Sequence, residues 1–217
     1  MRLSHVFHPF RTKRQVERSL ACWDAAEDVF ITQQYNWLAS RLKANTTVID
    51  LGANMGDTAI YFAQFKESTV VMAYEPGPVP YKMMLENLGK CSIGAKVRPY
   101  NYAIGEKEGT LLLKDKLHTR SSSAEAMVAA KGTPVKVVTL SSVLDGLTNV
   151  VIKCDIEGAE ETIFDGVDLS MAYAIQLEWH SQKAKEKAVN NLTEAGFTLD
   201  YIKQDTESHT GMIGAYK

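Results

Sequence analysis

The sequence predicts an α/β fold: a Rossmann-like, doubly wound, mostly parallel sheet of seven strands with helices on both faces and an antiparallel strand at the C-terminus. Three observations predict it. From residue 46 onward, short apolar runs alternate with helical stretches, the pattern of repeated strand–helix–strand units. The first run, Val48–Leu51, leads into a glycine-bearing turn and then a helix. The last two runs are joined by too few residues to hold the helix that a parallel crossover needs, so they must pair antiparallel.

The elements follow in order. Residues 1–45 read as a mostly helical segment with Phe30, Trp37, Leu38 and Leu42 near one stripe, and residues 46–217 as the α/β domain. After Val48–Leu51 comes a helix over about Asp57–Phe65, then a second strand, Thr69–Tyr74, ending at Glu75-Pro76. Pro78 opens a helix with Val79, Met83, Met84 and Leu88 on one side. Val97–Tyr100 is a short third strand. Thr110–Leu113 and Val135–Val138 read as strands flanking a polar loop, Arg120–Ser123, in an insertion at the sheet edge. Val150–Cys154 and Ala174–Trp179 are the next core strands, and a charged helix spans about Ala184–Ala195. Phe197–Tyr201 and Met212–Tyr216 close the sheet.

A chain of 217 residues that is 45% hydrophobic fits one domain with a substantial core. Its net charge of −2 gives no electrostatic reason to expect nucleic acid or an anionic membrane as partner. The basic cluster Arg11, Lys13, Arg14 and Arg18 reads as a solvated helix face. Cys22, Cys91 and Cys154 are odd in number and lack metal-ligand spacing, which points to reduced thiols and a cytoplasmic setting. No apolar run approaches the ~18 residues of a spanning helix.

The stretch Asp50-Leu51-Gly52-Ala53-Asn54-Met55-Gly56-Asp57 sits between strand and helix, where backbone must approach a ligand closely. A dinucleotide fold would carry G-x-G-x-x-G there to meet a pyrophosphate. Here Asn54 separates Gly52 from Gly56, and Asp50 precedes them, which suits a cofactor with an ammonium group and no phosphate, such as S-adenosylmethionine. Glu75 follows Asp50 by 25 residues, at the tip of the second strand, where a carboxylate can accept from both ribose hydroxyls. The expected cofactor-binding set is Asp50, Gly52, Ala53, Asn54, Gly56, Glu75, Pro76 and Asp155, with Asn101 and Ala103 placed to meet an adenine edge. Taken singly, each signal also fits a plain tight turn or a solvated strand end.

These residues, with Leu85-Glu86-Asn87, Asn101-Tyr102-Ala103-Ile104-Gly105, Thr139-Leu140, Lys153-Cys154-Asp155-Ile156-Glu157-Gly158-Ala159-Glu160, Glu178-Trp179-His180 and Ala195-Gly196-Phe197, resemble the FkbM family of methyltransferases over about residues 46–200. The resemblance implies a class I methyltransferase sheet, S-adenosylmethionine as donor, and O-methylation of a hydroxyl on a sugar or small metabolite. By the same resemblance Asp50, Gly52 and Asn54 line the methionine end and Glu75 holds the ribose. In this fold a leading segment such as residues 1–45 commonly covers the acceptor pocket.

Lys153, Asp155 and Glu157 alternate around the end of the fourth core strand and, with His180, form the expected catalytic set. A lysine interrupting Val150-Val151-Ile152 needs a carboxylate partner, for which Asp155, Glu157 and Glu178 are the candidates. The cluster reads either as a buried ion pair or as the machinery that deprotonates a hydroxyl. Burial is expected to lower the lysine's pKa, making Lys153 or His180 the base. Asp155, Glu178 and His180 could also hold a divalent cation, although no metal is expected to be required. His209, in the polar turn between the last strands, reads as surface. The partner is expected to be a small hydroxylated acceptor. Two rival readings are an NAD-dependent oxidoreductase, which lacks its glycine fingerprint here, and a non-catalytic protein that keeps the fold for binding.

Overall fold

Strands covered on both faces must be apolar almost throughout, and Val48, Ile49, Val150, Val151 and Ile152 have no solvent exposure at all. The computed structural model describes residues 29–30, 32–65, 67–91, 96–113, 132–205 and 210–217. Along them run α1 (Asn36–Ala39), β1 (Thr46–Leu51), α2 (Asp57–Ala63), β2 (Ser68–Tyr74), α3 (Pro78–Lys90), β3 (Val97–Tyr100), β4 (Tyr102–Ile104), β5 (Gly109–Leu113), β6 (Thr133–Val138) and α4 (Leu140–Leu144). Then come β7 (Val150–Cys154), a 3-10 turn (Ala159–Glu161), β8 (Ala172–Trp179), α5 (Gln182–Glu194), β9 (Thr198–Gln204) and β10 (Gly211–Tyr216). Arg11, Lys13, Arg14, Arg18, Cys22, the Arg120–Ser123 loop, His209 and most of the helical segment expected over 1–45 lie outside the described residues.

The seven-stranded sheet has the order β3-β2-β1-β7-β8-β10-β9. Its first five strands are parallel, and β10 is antiparallel to both β8 and β9. The chain turns one way from β1 to β2 and β3 and the other way from β7 to β8. The carboxyl ends of β1 and β7 therefore flank a topological switch point, where open α/β sheets take their ligands.

Alternation along the strands divides the core into two layers. Ile49, Leu51, Ile152, Cys154, Ile175 and Leu177 face one way and pack with Leu144, Ala184, Ala188 and Leu192. Val48, Ala73, Val151 and Ala174 face the other way and pack with α2 and with Phe30, Tyr35 and Leu38. Among the described residues of the leading segment only Asn36–Ala39 is α-helical. Phe30 and Leu38 are buried as expected, while Trp37 and Leu42 are half-buried. On α3, Met84 enters the core, and Val79 is exposed on the first turn instead of facing inward.

The expected edge insertion is a separate three-stranded sheet, β4-β6-β5, with its own small core of Ala103, Leu113, Val135 and Val137. No helix among the described residues is long and apolar enough to cross a membrane.

Candidate active site

The turn after β1 is built from backbone bonds. The N–H groups of Gly52 and Ala53 both donate to Tyr74 O, at 3.0 and 2.9 Å, and Gly56 N donates to Ala53 O at 2.7 Å. Gly52 (φ +77°) and Gly56 (φ +83°) take up left-handed backbone. A β-carbon on Gly52 would fall on the Asp155 carbonyl, and one on Gly56 would meet Met84 Cγ at 2.7 Å. The protein's own chain, arriving from β7 and α3, thus already demands both glycines.

The rim of this turn is Glu75, almost fully buried at the tip of β2. Its Oε2 accepts from Asn54 N at 2.9 Å and its Oε1 from Gly77 N at 2.6 Å. Burial nevertheless pushes its carboxyl up to about 7, against those two N–H groups. Asn101 Nδ2 donates to Glu75 O and Pro76 O, at 2.9 and 3.0 Å, tying the end of β3 to the tip of β2. The side chains of Ala53 and Ala103 do not reach the cleft. Ala53 is fully buried against the α2 layer, and Ala103 lies in the core of the small sheet, because alternation along β4 turns it away.

Below the turn, Asp50, Lys153 and Gln176 sit side by side in register across β1, β7 and β8. Lys153 Nζ lies 3.1 Å from Asp50 Oδ1 and donates to the carbonyls of Leu51 (3.1 Å) and Gly52 (2.6 Å). Thr58 Oγ1 donates to Asp50 Oδ2 at 2.5 Å. Two expectations are corrected here. Burial alone would lower the Lys153 pKa, but Asp50 and then Asp155 more than offset it, so the ammonium is held well above its ordinary value and keeps its proton more tightly than a free lysine. Its partner is Asp50, with Asp155 farther off at 4.0 Å. Asp50, with 0% exposure, faces Lys153 and Thr58. Asp57, buried at the first position of α2, is raised to about 6 by desolvation, with Lys153 pulling it down.

Strand geometry ends at Cys154. Glu157 (φ +56°) and Gly158 (φ +113°) reverse the chain, so the alternation of Lys153, Asp155 and Glu157 does not continue. Lys153 passes under the turn, while Asp155 and Glu157 converge on His180 at the end of β8. His180 Nε2 lies 3.5 Å from Glu157 Oε2 and 3.9 Å from Asp155 Oδ1. Its Nδ1 is 3.1 Å from Glu160 Oε1. Glu160 has no exposure; it accepts from Ile156 N (3.0 Å) and Gly158 N (2.7 Å) and so holds both the reversal and the imidazole. Burial works against a charged His180, yet the hydrogen bond to Glu160 and the charges of Glu160, Glu157 and Asp155 raise it to about 9.

Burial likewise raises the carboxyls of Asp155 and Glu157. Glu178 is pushed up to about 7, first by burial and then by Asp155. Asp155, Glu157 and His180 present ligand atoms that all lie within 4.8 Å of one another and could hold a divalent cation. Glu157 takes the place expected of Glu178, whose Oε2 instead receives Gln34 Nε2 at 3.4 Å. Sequence reasoning missed Glu160 and the pair Gln34 and Tyr35. Glu160 was signalled by its place as the last acid of the K-x-D-x-E-G-x-E run, whereas a helical reading of residues 1–45 gave no reason to single out the other two.

A family model described as the methyltransferase FkbM domain matches residues 50–208, a span that holds the Glu75 rim, the Lys153 floor and the His180 cluster. Methyltransferase sdnD of Sordaria araneosa is 25% identical over 65% of this chain and 67% of its own. Among solved structures, methyltransferase FkbM from Methylobacillus flagellatus KT superposes with a TM-score of 0.58 at 11% identity, over 94% of this chain and 50% of that one. Precorrin-6y C5,15-methyltransferase from Geobacter metallireducens GS-15 gives 0.53 at 17% identity, over 88% of this chain and 92% of its own. M. capricolum TrmK, solved with S-adenosyl-homocysteine, gives 0.50 at 13% identity, over 85% of this chain and 67% of that one. Identities this low speak for the fold alone, but the family match covers most of the chain, and the chain is an S-adenosylmethionine-dependent methyltransferase belonging to the FkbM family.

Proposed function

We propose that the chain moves the methyl group of S-adenosylmethionine onto a hydroxyl of a sugar or other small metabolite, by direct in-line transfer. The observation that carries this reading is the placement of two unlike polar sites on either side of the switch point. One is the clamped Glu75 carboxylate beside a backbone turn, and the other is the His180 cluster with its three acids.

The residues present fit the donor. A carboxylate offers about four lone-pair sites, and Glu75 spends one on Asn54 N and one on Gly77 N, leaving capacity for ribose hydroxyls. The carbonyl of Gly52, held in place by Lys153, together with the carboxyl of Asp57, suits the ammonium of a methionine end. When bound, the donor supplies an electrophilic methyl on a cationic sulfur.

His180 is the group we assign to the acceptor proton. Glu160 occupies Nδ1, which leaves Nε2 as the atom that takes the proton, between Asp155 and Glu157. Because the same acids keep His180 charged up to about pH 9, its basic form grows with rising pH. Asp155, Glu157 and Glu178 give the acceptor side a negative lining that disfavours phosphorylated or carboxylated acceptors and suits a neutral polyol.

The test has two stages. Calorimetry with S-adenosylhomocysteine on folded protein should give a saturable heat, and transfer of labelled methyl to a panel of glycosides and alcohols should place the label on oxygen. Absence of heat removes the donor reading. Label found on amines alone removes the oxygen assignment and leaves the rest standing.

A further inference from the structure

We infer that Tyr35, carried by the segment ahead of β1, is a cofactor-contacting residue whose aromatic ring recognises the positive sulfonium and so favours the methyl donor over its neutral thioether product. The inference rests on the donor reading above and assigns that site a wall that neither the glycine turn nor the strand tips supply.

Tyr35 belongs to no strand, yet only 3% of it is exposed. Its ring centroid lies 5.7 Å from Lys153 Nζ, and Lys153 Nζ lies 2.6 Å from Gly52 O. The ring and Gly52 O thus flank the same ammonium, which places Tyr35 next to the turn where the methionine end would lie. Burial, and then the charges of Asp155, Glu178, Asp50 and Asp57, hold its phenol well above the ordinary tyrosine value, so it feels acids of both the acceptor side and the turn. Tyr35 thus lies within electrostatic reach of both the turn and the acceptor-side acids.

Its position is fixed before any ligand arrives. Gln176, in register with Lys153 on β8, accepts from Leu38 N at 3.3 Å and donates to Gln34 O at 2.9 Å, bracketing Tyr35 from both sides. Gln34 reaches Glu178 Oε2 at 3.4 Å, and Phe62 packs against the ring at a centroid distance of 6.2 Å. A ring already held in place gains from a cation without a further ordering cost. The surroundings also favour a cation. Among the described residues, Asp50, Asp57, Glu75, Asp155, Glu157, Glu160 and Glu178 crowd the site against Lys153 and His180.

The experiment compares the dissociation constants of S-adenosylmethionine and S-adenosylhomocysteine, by calorimetry, for the full chain and for Tyr35→Phe and Tyr35→Leu. Tyr35→Leu should weaken the sulfonium compound about 2- to 30-fold, the range set by a cation on an aromatic face. It should move the thioether compound less than twofold, and Tyr35→Phe should keep the original ratio. Unchanged thioether binding also shows that the variant is folded. Equal weakening of both compounds, or of neither, overturns the inference, as does a Phe variant that behaves like Leu. If the unaltered protein binds neither compound, the donor reading itself fails, an outcome distinct from an unchanged ratio.

Discussion

Replacing Lys153 by methionine keeps most of the side-chain volume and deletes the charge, so it isolates what the ammonium contributes. Lys153 is 1% exposed and Asp50 0%. At their 3.1 Å separation the gross attraction is about 5 kcal/mol with an effective dielectric of ~20. Much of that attraction offsets the desolvation of the two groups. The cost of removing one partner is set by the carboxylate left behind, about 3–5 kcal/mol. Loss of the bonds to the Leu51 and Gly52 carbonyls acts in the same direction. Lys153→Met should therefore lower the unfolding free energy by about 3–5 kcal/mol in urea titration. The double variant Asp50→Asn/Lys153→Met should recover at least half of that loss, because no orphan charge remains. The folded pKa of Lys153 lies above its unfolded value, so its contribution is fully present below the unfolded pKa of about 10.4 and lost only as pH rises through the higher folded one. Lys153 also pulls down the buried carboxyls of Asp57 and Glu75, so without it they hold their protons more tightly and the loss should be larger at pH 8 than at pH 6. A Lys153→Met midpoint within about 1 kcal/mol of the unaltered protein would refute the reasoning, as would a double variant showing no coupling.

Glu75→Ala should weaken S-adenosylhomocysteine binding about 10- to 100-fold, since each hydrogen bond to a charged group is worth roughly 1.5–3 kcal/mol; calorimetry measures it. The pH profile of methyl transfer should rise toward a limb near 9, the value to which Glu160, Glu157 and Asp155 hold His180. Glu160→Gln should move that limb down toward the ordinary histidine value of about 6.5, and a limb that stays at 9 would free Glu160 of this role. His180 is raised on folding, so its share of stability is full below about pH 6.5 and fades as pH climbs through 9; His180→Gln should flatten urea midpoints across that window. Gly52→Ala forces a β-carbon onto the Asp155 carbonyl at φ +77°, and thermal melts should show a loss of more than about 1 kcal/mol.

Much of the architecture was legible because the physics that makes it is local. Val48–Leu51 and Val150–Cys154 could be read as central strands because being covered on both faces leaves no room for polar alternation. The antiparallel end followed from the length of the link before β10 alone. What was not legible depended on which strands lie side by side. Lys153 announced that it needed a carboxylate, but the candidates were sought at the carboxyl ends of its own strand and the next, in Asp155, Glu157 and Glu178. The partner came from β1, whose register sets Asp50 opposite Lys153 only once β1 and β7 are known to be adjacent. The surroundings of Ala103 were hidden for a related reason, since its strand joins a second sheet whose partner, β6, lies far along the chain.

These misreadings share a direction, and the direction has a cause. Asp50 and Lys153 were expected to meet the ligand and the acceptor proton, and both are buried, with Lys153 donating to the carbonyls of the turn and Asp50 facing Lys153. A charge in the middle of an apolar strand must first be satisfied inside the protein, because leaving it for a ligand to neutralise would destabilise the free enzyme by several kcal/mol. Groups that remain available for chemistry sit where the strand has ended and the backbone has turned, as Glu75, Asp155, Glu157 and His180 do. Within an apolar run, then, an interrupting charge marks the floor of a site, and the first polar residues after the run mark its working surface.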